Sequence, residues 1–71
     1  MRIIVLHDRF SNEPIVVKTS AINAVRKVID RMEKNVEEYS EILVGPNFFG
    51  VKENIGAVMI KIQKAESGDK E

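Results

Sequence analysis

The chain has 71 residues, eleven basic and eleven acidic side chains, no cysteine, and an apolar fraction of 44%. A chain this short buries only about 60% of the surface it exposes when unfolded, and without cysteine neither a disulfide framework nor a thiolate zinc site nor thiol chemistry can add to that core. Zero formal net charge removes the broad positive field of a phosphate-neutralising protein.

The charge is unevenly placed. Residues 1–29 carry Arg2, Arg9, Lys18, Arg26 and Lys27 against Asp8 and Glu13, whereas residues 30–41 carry five acids against Arg31 and Lys34. No apolar run approaches the roughly 20 residues that span a bilayer, and the first residues lack the pattern of a signal peptide. The expectation is a cytoplasmic protein without membrane insertion.

Met1 to Leu6 read as a strand that is apolar on both faces except at Arg2, as expected of a strand inside a sheet or under another layer. His7 to Glu13 is a polar connection. Pro14 then opens a second strand, Ile15-Val16-Val17, where a missing amide costs least, and the two strands read as a hairpin.

Thr19 to Met32 admits two readings. Ile22, Val25, Val28, Ile29 and Met32 match a helical stripe with Thr19 or Ser20 as N-cap, so periodicity alone favours a helix. As a strand, Val25 and Ile29 would share one face with Lys27 between them, and Val28 would lie opposite. Glu33 to Ser40 is mostly charged, with Val36 and Tyr39 isolated, and reads as a link to the strand at Glu41 to Val44.

Ile42-Leu43-Val44 is a β-favouring run ended by the turn formers Gly45-Pro46-Asn47. Phe48, Phe49 and Val51 resume the apolar pattern, with alternation predicting one buried and one partly exposed phenylalanine. Asn54 reads as the N-cap of a helix, with Glu53 adding negative charge near its positive end. Ile55, Val58, Met59 and Ile62 form its apolar stripe. Gly56 costs the first turn roughly 1 kcal/mol against alanine, so packing must hold this helix, which is expected to fray near Gln63 to Glu66. The expected organisation is a single domain over residues 1–66 and a flexible tail at 67–71.

The opening strand, the loop His7-Asp8-Arg9-Phe10 up to Pro14, Ile15-Val16-Val17, and Phe49-Gly50-Val51-Lys52-Glu53-Asn54 before an apolar helix together resemble the small flagellar FlbD family of motility proteins. Val51-Lys52-Glu53-Asn54 matches that family's Val-Lys-Glu-Ser motif, with asparagine in place of serine as cap. The chain departs from the pattern in its longer acidic stretch, Glu33 to Glu41, and in lacking an Asn-Gly turn in the later hairpin. The resemblance implies that residues 23–30 pair as a strand with 41–45. The expected fold is therefore α+β: a small twisted, mainly antiparallel sheet of four to five strands packed by a C-terminal amphipathic helix. The alternative is hairpin, helix, hairpin, helix.

No stretch holds a constellation that identifies a reaction. His7, Asp8 and Arg9 offer a titratable base beside an acid, but neighbours in a strand point to opposite faces, and no second histidine or activated nucleophile accompanies them. A metal at His7 would need carboxylates scattered along the chain. No cofactor is expected. Met32 and Met59 read as core filling, and Glu33, Glu37, Glu38 and Glu41 as a solvated acidic run.

Two functional readings remain. The first is a non-enzymatic protein–protein interaction module that self-associates, as a homodimer or larger homo-oligomer, with Phe48 and Phe49 as candidate contacts. The second is a nucleic-acid-binding accessory protein using Arg2, Arg9, Lys18, Arg26 and Lys27.

Overall fold

The computed structural model describes residues 2–31 and 34–67. Met32, and four of the five residues of the expected tail, lie outside them.

Among the described residues five strands precede one helix: β1 Ile3–His7, β2 Pro14–Lys18, β3 Ile22–Arg31, β4 Val36–Val44, β5 Asn47–Val51 and α1 Ile55–Glu66, with a 3-10 turn, Thr19–Ala21, between β2 and β3. The architecture is α+β. The expected single sheet is replaced by two antiparallel sheets, β1-β2 and β3-β4-β5. They meet at one seam, an antiparallel bridge between Asp8 and Val51. There Arg9 N donates to Gly50 O (3.0 Å) and Lys52 N donates to His7 O (2.9 Å).

The segment after Thr19 is a strand, and the helical reading of it falls. Its residues pair with β4 from Ile22 opposite Val44 to Arg31 opposite Val36, with an irregularity between Ile22 and Ala24. That bulge explains the misleading period. An extra residue, Asn23, turns Ile22 and Val25 to the same side although they are three apart, and both pack against the core. Four β-branched residues, Ile22, Val25, Val28 and Ile29, suit the extended backbone.

β4 also begins earlier than the acidic composition suggests. Val36 to Ser40 is strand and not link, so the β3 partner runs back well beyond residue 41. The β4–β5 connection is a two-residue turn, Gly45-Pro46, between the partners Val44 and Asn47. Gly45 has φ +60° and proline fixes φ near −65°, the pair of values a type II′ hairpin turn requires. Asn23 Oδ1 accepts from Gly45 N at 2.9 Å.

The core gathers Ile4, Leu6, Val17, Ile42, Val51 and Val58, so both sheets and the helix contribute to one cluster. Full burial of each such side chain stabilises by about 1.5–3 kcal/mol. Alternate residues of β1 divide: Ile4 and Leu6 are buried while Ile3 and Val5 are exposed, so the strand is covered on one face and not on both. Ser40 is buried beside this cluster, and its hydroxyl has no hydrogen-bond partner.

Asn54 caps α1 as its side chain suggests, accepting from Ala57 N at 2.8 Å. The helix continues through Glu66. Val58 is fully buried, and Ile62 and Ala65 pack against the core from the following turns. Met59 is exposed, contrary to its expected core role, because the buried stripe runs 58, 62, 65. No described helix is long and apolar enough to cross a membrane.

Candidate functional site

Two surfaces carry polar chemistry. The first is the seam. His7 ends β1, and Glu53 follows β5 by two residues, so closing the seam sets them side by side although they are 46 positions apart. Glu53 accepts from His7 N at 3.0 Å through Oε1 and from His7 Nδ1 at 2.7 Å through Oε2. An ionised carboxylate only accepts, so Nδ1 carries the proton of this bond. Burial raises the Glu53 carboxyl, but the hydrogen bonds from the His7 ring and backbone outweigh it and hold it below its ordinary value.

His7, Asn12, Lys52, Glu53, Asn54 and Ala57 line an open cleft of ≈ 450 Å³ here. Its polar groups are already partnered: Lys52 Nζ donates to Asn12 Oδ1 at 2.9 Å, and Asn54 is engaged at the helix cap. None of the lining residues is a hydroxyl or thiol nucleophile. Asp8 turns away from His7 to accept from the backbone amides of Ser11 and Phe10, which hold its carboxyl below the usual range. Among the described residues, no three histidine or carboxylate side chains converge as metal ligands.

The second surface is the face of β3-β4-β5 opposite the core. Register and alternation place Ala24, Arg26, Val28 and Asp30, then Glu37, Tyr39, Glu41 and Leu43, then Phe48 and Gly50 on this side. Arg9 reaches it from the β1–β2 loop. Its guanidinium stacks on Tyr39 at 3.7 Å and Phe10 at 4.5 Å from the ring centroids. It also donates to Asp30 Oδ2 and Glu37 Oε1, each at 2.8 Å. The Asp30 bond leads in raising the already high pKa of Arg9. Gly50 lies beneath this stack, where a Cβ would make ordinary contacts, 3.5 Å from Tyr39 and 3.8 Å from Arg9.

Beside it, Arg26 donates from Nε to Glu41 Oε1 at 2.8 Å and lies 4.8 Å from the centroid of Phe48. Phe48 is 53% exposed. Phe49 is 37% exposed, so neither phenylalanine is buried, because β5 is an outer strand of its sheet and neither of its faces is closed at that end. Phe49 points to the core side, opposite Ile42. Phe10, 83% exposed, is a third aromatic on this surface, and its position in a polar loop concealed it in the sequence.

The five basic candidates do not share a surface. Arg9 and Arg26 lie on the outer face, each with carboxylate partners, while Lys27 points to the opposite side of β3. Arg2 and Lys18 line a separate cleft of ≈ 320 Å³ with Thr19, Ser20 and Glu66, at the other end of β1 from Arg9. Of the acidic run, Glu37 and Glu41 are the partners of Arg9 and Arg26, and Glu38 faces the core side opposite Ile29. Glu33 lies outside the described residues.

No family model matches the chain, and no curated protein or solved structure matches it at a significant level.

Proposed function

We propose that the protein is a small non-enzymatic interaction module whose contact surface is the outer face of β3-β4-β5, centred on Phe48 and Arg26. The observation that carries this is the exposed Phe48 ring held against the Arg26 guanidinium. Aromatic residues and arginine are enriched at protein interfaces, and a ring already held by its neighbour loses less freedom on binding. Carboxylates from Asp30, Glu37 and Glu41 pair with the two arginines, which favours a mixed-charge protein surface as partner over a polyanion. The likeness to the FlbD family supports a shared fold through Val51-Lys52-Glu53-Asn54 and names no partner.

The test is affinity capture of the tagged protein from its own cell lysate, with and without nuclease, beside the variants Phe48→Glu and Phe49→Glu. The expected result is a partner that survives nuclease and is weakened at least tenfold by Phe48→Glu. Retained proteins lost on nuclease treatment would favour the nucleic-acid reading. Partner binding and oligomeric state unchanged in both variants would remove the interaction reading.

A further inference from the structure

β3 is an outer strand of its sheet, ten residues long, paired only with β4. Among the described residues, no backbone hydrogen bond from outside its sheet reaches residues 24–31. A free strand edge of this length is a template for another strand. Its charges restrict what can pair there.

Consider a second copy of β3 added antiparallel. In such a ladder only like positions oppose each other, both hydrogen-bonded or both not, so the numbers of two facing residues sum to an even value and the two-fold axis passes through a residue. Centring on Arg26, Lys27 or Asp30 sets that charge against its own copy. Centring on Ile29 opposes Lys27 to Arg31 twice. Centring on Val25 runs the ladder into the bulge at Asn23 and makes no ion pair. Centring on Val28 sets Val28 against itself and Arg26 against Asp30 twice, with Lys27 facing Ile29 and Val25 facing Arg31. Like charges directly opposite destabilise and opposite charges stabilise, so one register survives.

The groups it needs have capacity left. The Arg26 side chain is 63% exposed and uses only Nε and Nη2 on Glu41, while the Asp30 side chain is 38% exposed and gives only Oδ2 to Arg9. We propose that the protein forms a two-fold symmetric dimer by antiparallel addition of β3 to β3 of a second copy, with Val28 opposite Val28 and Arg26 opposite the partner's Asp30. This deepens the interaction reading by naming one partner. The outer faces of the two copies then form one continuous six-stranded surface with Phe48 near each end.

The absence of native cysteine makes the register directly measurable. Single variants Val28→Cys, Lys27→Cys and Ile29→Cys of the full chain, each verified as folded by circular dichroism, are oxidised under mild conditions. Val28→Cys is expected to form disulfide-linked dimer at least ten times faster than either of the other two alone. An equimolar mixture of Lys27→Cys and Ile29→Cys is expected to cross-link as a heterodimer. Equal rates in all three single variants, or no heterodimer in the mixture, overturn the proposal. So does wild-type protein that sediments as a monomer at every concentration up to about a millimolar. Adding Phe48→Glu to the Val28→Cys variant separates the two readings: if it still cross-links while partner capture is lost, the dimer and the outer-face contact both stand. If partner capture persists while Val28→Cys does not cross-link, the dimer alone fails.

Discussion

At Asn54 the side-chain oxygen accepts one of the first free amides of α1, and alanine there leaves that donor without its partner. Asn54→Ala is expected to cost about 1 kcal/mol in denaturant unfolding, and Asn54→Ser much less, because serine also caps. Its neighbour Glu53 acts at the seam. The Glu53 carboxyl titrates below its ordinary value of 4.5 when folded, so its ionised form contributes stability that is present above that pH and lost as pH falls through the lower, folded value. Glu53→Gln is expected to be less stable than wild type at neutral pH and to lose less on acidification below about 4.5, with Asp8 leaving a shared residual slope. Superimposable acid-unfolding curves would contradict this. Asn54 is legible from sequence because its partner is three residues away. The His7–Glu53 pair is not, since 46 residues separate its members and only the seam brings them together.

Among the elements, β1, β2, β5 and α1 follow from local pattern, whereas β3 does not. Ile22, Val25, Val28 and Ile29 carry the spacing of a helix, and the bulge that makes this compatible with a strand has no signature of its own. β4 is obscured differently. Glu37 and Glu41 resemble a solvated loop because their partners, Arg9 and Arg26, lie elsewhere in the chain. The turn joining β4 to β5 is local again. Gly45 sits at φ +60° with open space around its Cα, so alanine meets no clash and suffers only the backbone penalty, about 1–2 kcal/mol. Gly45→Ala should lower the unfolding free energy by that amount, read as a lower denaturation midpoint at an unchanged m-value. A neutral result would mean that the turn relaxes to another type.

For the whole molecule, composition indicates a small core and the absence of thiol chemistry, and the structure adds how that core is shared. Ile4, Leu6 and Val17 come from one sheet, Ile42 and Val51 from the other, and Val58 from the helix. The surface left over is where sequence reasoning is weakest. Phe10, Phe48 and Phe49 are all exposed, yet alternation separates the last two by face and cannot say that neither face is closed. A neutral chain in which Arg9 and Arg26 are held by its own acids is expected to show no binding to mixed DNA and RNA at physiological ionic strength. Binding with a steep salt slope would return the five basic residues to consideration.

The seam between the sheets has one further consequence, for deuterium exchange. Among the described residues, only the amides of Arg9 and Lys52 cross it to backbone acceptors, yet separating the sheets there would draw Leu6 away from Ile42 and Val51. Those two protons should therefore escape no faster than the most slowly exchanging amides of β4, at the rate set by global unfolding. The first hairpin would then have no independent life in solution: the molecule loses it only by losing everything.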